Sequence, residues 1–245
     1  MTWITDGLNG AGCFFTGLSL AMSPKLRRFI VMPFVLGLII ATSASYWLVA
    51  TVEGWLAVDA DSVWRWIVTP LLWLVALIGS GWLAALLAAL ISAPLLSHLA
   101  LKVDALTNSD AEMPNEDSLS IEVVQSIGRE FSKWRYHLPR LLGLLLLTVV
   151  PIINLVAPFL WVLFGAWMTS VQFSDYRNEN LKHDFVVTLH QLKQDRCMSL
   201  GFGICCFFAL SIPLLNFVVV PVAVVGGTLL NQQLTQQASP NPASD

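Results

Sequence analysis

The sequence predicts an all-α integral membrane protein: two spanning helices plus two proline-broken re-entrant helical hairpins that penetrate only part way, with a polar cytoplasmic helical segment between them. Three observations predict it. Mean hydropathy is +0.70, with 56% apolar and 12% charged residues, about half the charged share of a typical soluble domain. Four uncharged runs, 29–50, 66–101, 141–174 and 197–230, cover about half the chain; a soluble core buries runs of roughly 10–14, not repeated runs above 20. The last two runs, each of 34 residues, are broken midway by the same element. It reads Val150-Pro151-Ile152-Ile153-Asn154 with Pro158 in the first, and Ile212-Pro213-Leu214-Leu215-Asn216 with Pro221 in the second. Proline removes a backbone donor and bars the preceding residue from the helical region, so each run reads as helix, turn, helix.

Residues 6–22 are rich in small side chains, with Leu8, Phe15, Leu18 and Met22 near a helical stripe, which predicts a short interfacial helix. Ser23 and Pro24 then supply an N-cap and a first helical residue for span one, 24–50, which Pro33 is expected to kink. The loop 51–65 is acidic (Glu53, Asp59, Asp61), and Trp47, Trp55, Trp64 and Trp66 bracket it as an aromatic belt would. Span two, 66–101, carries Gly81, Ala85, Ala89 and Ala93 at a spacing of four, a ridge for close helix packing, and Pro94 is expected to bend it out of the membrane. The Gly79-Ser80-Gly81 cluster leaves a hairpin within this run as an alternative. Segment 102–140 holds an acidic, turn-rich stretch (Asp110, Glu112, Pro114, Glu116, Asp117) and then a basic one ending at Arg140. Hairpin one is 141–174, a polar connection spans 175–196, hairpin two is 197–230, and the tail 236–245 is expected to be disordered. No secretory signal peptide is expected in residues 1–24, which carry Asp6 and no basic residue.

Twelve of the thirteen Lys and Arg lie in 1–28, 102–140 and 175–196. The positive-inside rule places those three regions in the cytoplasm and the acidic loop outside. A single crossing by 141–174 would put two basic segments on opposite sides, and the arm before Pro151 is shorter than the roughly 20 residues a crossing needs. Re-entrant hairpins meet both constraints. Irregular backbone at membrane depth survives only where protein or a water-filled cavity surrounds it, which hints at a conduction path.

The chemistry is sparse. The apolar runs hold no Asp, Glu, Lys or Arg, so a proton relay has only His98 to draw on. His137, His183 and His190 form no ligand cluster, and Cys13, Cys197, Cys205 and Cys206 read as small apolar packing residues. No enzyme constellation, metal set, cofactor motif or nucleic-acid-binding pattern is present in the sequence. The strongest site is the turn Ser23-Pro24-Lys25-Leu26-Arg27-Arg28: a helix N-terminus suits an oxyanion, and two arginine forks match its tetrahedral oxygens. Anchoring to anionic headgroups is the competing reading. Arg129, Lys133 and Arg140 form a second basic set that falls on one face of a continuous helix, to bind an anion or to anchor the segment just before the membrane. Asn154 and Asn216 offer amides at the hairpin tips, to line a path or to cap the turns.

With these residues assembled, the chain resembles the CysZ family of bacterial sulfate permeases. The motifs are Ser23-Pro24-Lys25-Leu26-Arg27-Arg28-Phe29 with Pro33, Ile91-Ser92-Ala93-Pro94, and Arg129-Glu130 with Lys133 leading into Leu138-Pro139-Arg140. Pro151-Ile152-Ile153-Asn154 with Ala157-Pro158, and Trp161 with Ala166-Trp167-Met168, Gln172 and Asp175-Tyr176, follow in order. Pro213-Leu214-Leu215-Asn216 with Pro221-Val222-Ala223-Val224 closes the match. The resemblance implies sulfate uptake across the cytoplasmic membrane for cysteine synthesis, two spanning helices with part-penetrating hairpins, and a homo-oligomer. It places sulfate binding on Lys25, Leu26 and Arg27, with Arg28 beside them; Lys25 stands where the family has glycine, and Leu101 where an acidic residue is common. The expected function is thus a passive sulfate channel, with an accessory scaffold for another importer, or a proton-coupled symporter, as alternatives.

Overall fold

A computed structural model describes residues 2–56, 63–108, 119–150, 154–212 and 215–238, all of them helical or in short turns. The helices are α1 (Thr2–Ala21), α2 (Arg28–Leu56), α3 (Val63–Thr107), α4 (Leu119–Val149), α5 (Ala157–Asn180), α6 (Phe185–Gln194), α7 (Arg196–Leu210) and α8 (Asn216–Ala238). Two compact units result: Met1–Arg27 with Leu96–Asp245, and Arg28–Leu95. The second contains α2 and most of α3. Its helices expose large apolar side chains, among them Leu38, Trp47, Trp66, Leu71 and Leu74, as a lipid-facing surface does. At 1.5 Å per residue α2 measures about 43 Å and α3 about 67 Å, both beyond the roughly 30 Å of a hydrocarbon core.

The helix ends differ from those the sequence predicts. α2 starts at Arg28, four residues later than Pro24, because Ser23 and Pro24 belong to a turn and not to an N-cap. It also runs on to Leu56, and α3 begins at Val63, so both ends of the predicted acidic loop are helical. α3 passes through Gly79-Ser80-Gly81 and position 94 as one continuous helix, which removes the hairpin alternative there. α4 does not begin at Leu141: it is one amphipathic helix from Leu119, and Pro139 sits inside it. α8 likewise contains Pro221 and continues to Ala238, three residues into the expected tail. The prolines at 151 and 213, the acidic stretch from Asp110 to Asp117, Asp59, Asp61 and the tail beyond 238 lie outside the described residues, as do the side chains of the 81–93 ridge.

The first unit is built on close helix contacts. α1 packs along α7 and α8, α5 packs on the same two helices, and α7 and α8 pack on each other. Glycine permits this. A Cβ on Gly10 would lie 1.9 Å from Met198 O, on Gly201 2.0 Å from Gly7 O, on Gly203 1.9 Å from Ala166 O, and on Gly17 2.7 Å from Gly226 N. Small residues at such crossings bring backbones together, which drives helix association where lipid offers no hydrophobic gain. α1 therefore uses its small residues inward (Gly10, Cys13, Gly17, Ala21) and turns Leu8, Phe15, Leu18 and Met22 outward. At the centre, α8 buries Val222, Val224, Val225 and Leu230. Val218–Ala238 is also the one helix, among the described residues, whose length and mean hydropathy of 1.3 suffice to cross a membrane.

Candidate functional site

Two groups of cations are candidates, and the structure treats them oppositely. The first is the turn between α1 and α2. Ser23 O accepts from Leu26 N at 3.0 Å and from Arg27 N at 2.9 Å, so these two backbone donors are already used. Leu26 is fully buried and fixes the turn in the first unit, while Lys25, Arg27 and Arg28 are exposed. The Arg28 guanidinium lies 5.1 Å from the Phe29 ring centroid. None of the three cations has a carboxylate partner among the described residues. Lys25 adopts ordinary backbone geometry: the only non-glycine residue at positive φ among the described residues is Lys182. A lysine there is thus accommodated without strain.

The second group converges on an acid. Arg129 and Lys133, four apart on α4, share one face as the sequence predicts. Arg129 Nε and Nη2 grip Asp175 of α5 at 2.7 and 2.6 Å, Lys133 Nζ reaches it at 3.1 Å, and Thr188 Oγ1 of α6 donates to it at 2.6 Å. Arg129 also donates to His183 O, and Lys133 to Glu130 Oε1 at 2.7 Å. Asp175 is fully buried. Burial alone would raise its carboxyl, but the Arg129 hydrogen bonds, the Lys133 and Arg129 charges and the Thr188 hydroxyl together hold it below the usual carboxylate range. Arg140 does not join them; its guanidinium stacks 3.6 Å from the Tyr136 ring centroid and donates to Tyr136 O.

From Asp175 a hydrogen-bonded chain runs across the first unit. Asn178 Nδ2 donates to Thr188 Oγ1 and Gln191 Oε1, Asn231 Nδ2 to Gln191 Oε1, and Arg177 Nη1 to Asn231 Oδ1, all at 2.7–2.9 Å. Arg177 Nε and Gln232 Nε2 then meet on Asp104 Oδ1 at 2.7 and 2.6 Å, and Gln232 reaches Thr107. The chain ties α3, α5, α6 and α8 at one level, just past the ends of both apolar runs. The turn after α5 holds the near end in place: His183 N donates to Asn178 O and Lys182 N to Glu179 O, with Lys182 in the left-handed conformation.

Asn154 and Asn216 go elsewhere. Asn154 is exposed in the break between α4 and α5, its N–H on Val150 O. Asn216 is the first residue of α8, and its Oδ1 is buried without a partner among the described residues. Sequence reasoning missed Asp104, Arg177, Asn178, Thr188, Gln191, Asn231 and Gln232. The one available signal was positional: Asp175 and Asn231 each stand directly after a long apolar run.

A family model described as sulfate transporter CysZ/etoposide-induced protein 2.4 matches residues 13–221. The sulfate transporter CysZ of Vibrio atlanticus is 34% identical over 233 residues, 91% of each chain. The sulfate transporter CysZ of Pseudomonas aeruginosa (strain LESB58) is 36% identical over 235 residues, 91% of this chain and 94% of that one.

Proposed function

The chain belongs to the sulfate transporter CysZ/etoposide-induced protein 2.4 family, a family of membrane transporters and not of enzymes, and from that premise we propose that it is a passive sulfate channel of the bacterial cytoplasmic membrane, acting as a homo-oligomer. One observation carries the reading. Lys25, Arg27 and Arg28 form a row of exposed cations that no carboxylate neutralises among the described residues. Arg129 and Lys133 already hold an oxyanion, the carboxylate of Asp175. An incoming sulfate therefore meets uncompensated charge at the turn and compensated charge at α4. Because Leu26 N and Arg27 N are committed to Ser23 O, the anion would be held by the guanidinium forks and not by the backbone of the turn itself.

The hairpin reading is supported by lengths. From the break to the polar layer, α5 offers about 27 Å of uncharged helix (157–174), α7 about 21 Å (197–210) and α8 about 22 Å (216–230). Each of these arms falls short of a roughly 30 Å core, and α8 reaches crossing length only by including its polar end, 231–238. Arms of that depth return to the side they left, with Asn154 and Asn216 near their tips and the basic segments in the cytoplasm. Arg129 and Lys133 then act as struts at the base of the hairpins.

A sulfate-binding titration in detergent tests the site. Replacing Arg27→Ala and Arg28→Ala together should weaken binding by roughly 1.5–3 kcal/mol, the worth of a lost charged hydrogen bond. Unchanged affinity would assign the turn to headgroup anchoring. The scaffold reading is separated by labelled-sulfate uptake into vesicles that contain this protein alone: uptake supports the channel, and none supports the scaffold.

A further inference from the structure

α4 has a second face, opposite to the one that holds Asp175. Phe131, Trp134, Leu138, Leu142, Leu145 and Val149 recur at intervals of three and four, so they form one stripe along the helix. All six are exposed, Phe131 at 72% and Trp134 at 65%. Arg135 lies in the same stripe, exposed and with no partner among the described residues. The inner face, by contrast, is closed by Asp175, and its cations are neutralised there.

The lower half of this stripe, 142–149, belongs to an uncharged run and exposes Leu142, Leu145 and Val149, as a lipid-facing surface does. The upper half, 131–138, continues it without a break. Together, 131–149 spans about 27 Å, the same depth as the α5 arm and likewise short of a full crossing of a roughly 30 Å core. Side chains on a helix lean toward its N-terminus, so Arg135 reaches back to the level of Phe131, away from the bilayer centre. An aromatic pair beside a snorkelling arginine is the chemistry of the headgroup level. A second copy of this face is a poor occupant: the stripe offers no carboxylate to a facing Arg135.

We propose that the membrane surface meets α4 at 131–135 rather than at Leu141, and that Arg135, between Phe131 and Trp134, holds the phosphate of an anionic phospholipid. The seat is independent of sulfate and of the cation row at 25–28.

Two readouts on the full chain test it. In vesicles containing phosphatidylglycerol, the Trp134 signal, taken as wild type minus Trp134→Phe, should be quenched by lipid brominated near the glycerol end and not by aqueous iodide. In native mass spectrometry, Arg135→Gln should retain phosphatidylglycerol about fivefold less than wild type, and Arg135→Lys nearly as well as wild type. Arg135 is exposed, so both variants should keep the wild-type helical circular dichroism. Quenching by iodide but not by bromolipid overturns the proposal. So does equal lipid retention by wild type and Arg135→Gln, or cross-linking of Trp134→Cys between two copies without lipid quenching.

Discussion

At Asp175, three donor groups from α4 and α6 meet one buried carboxylate of α5, and that balance sets what the residue does for stability. Removing one member of a buried ion cluster leaves the others uncompensated, at a cost of about 3–5 kcal/mol. Asp175→Ala should therefore lower the thermal midpoint in detergent markedly, while Arg140→Ala, exposed and without a carboxylate partner, should not. The pH dependence has a definite sign. A carboxyl held below its usual value contributes stability that is fully present above its unfolded pKa, near 3.8, and is lost as pH falls through the lower folded value. The stability gap between wild type and Asp175→Ala should hold steady between pH 5 and 8 and narrow below about pH 4; a gap that closes near neutral pH would contradict this charge state. Both cation groups were legible from the sequence, since charge and helical spacing are local properties. What distinguishes them was not. The acid that neutralises Arg129 is 46 residues away in the chain, and only folding brings it there.

Helices in the first unit meet through glycine, so the effect of adding one methyl group depends on which helix face receives it. Gly203 faces Ala166 O at 1.9 Å from its would-be Cβ, whereas Gly12 has nothing within 4 Å. Gly203→Ala should cost about 1–3 kcal/mol by forcing α5 and α7 apart. Gly12→Ala should be neutral or slightly stabilising, because alanine is the better helix former by up to ~1 kcal/mol. Thermal unfolding of the two variants side by side checks the packing; equal behaviour would contradict it. The elements themselves were largely visible in the sequence, since long apolar runs broken by proline pairs locate α5, α7, α8 and the C-terminal end of α4. Their ends were less so. Pro139 and Pro221 sit inside helices, where packing tolerates a missing N–H, and Ser23-Pro24 forms a turn because Leu26 is drawn into the core. The role of α1 was hidden too: its sequence shows a faint outward stripe, while its importance lies in Gly10 and Gly17, whose partners Met198 on α7 and Gly226 on α8 are remote in the chain.

For the whole molecule the question is what drives the anion. Moving a dianion inward against an inside-negative potential costs about 4.6 kcal/mol per 100 mV, twice the single-charge value. At roughly 1.4 kcal/mol per tenfold concentration ratio, that opposes uptake by more than three orders of magnitude. The uncharged runs contain no carboxylate to carry a proton alongside, and the acids at their base, Asp104 and Asp175, are held in ion pairs. A passive path emptied by metabolic removal of internal sulfate is the account these facts favour. It is tested most directly by labelled-sulfate entry into vesicles containing this protein alone, with potential and pH gradient set independently. An inside-positive potential should accelerate entry, Arg27→Ala with Arg28→Ala should slow it, and an inward proton gradient at clamped potential should leave it unchanged. Accumulation above equilibrium driven by that proton gradient alone would contradict the channel and point to a symporter, with His98 the first residue to replace.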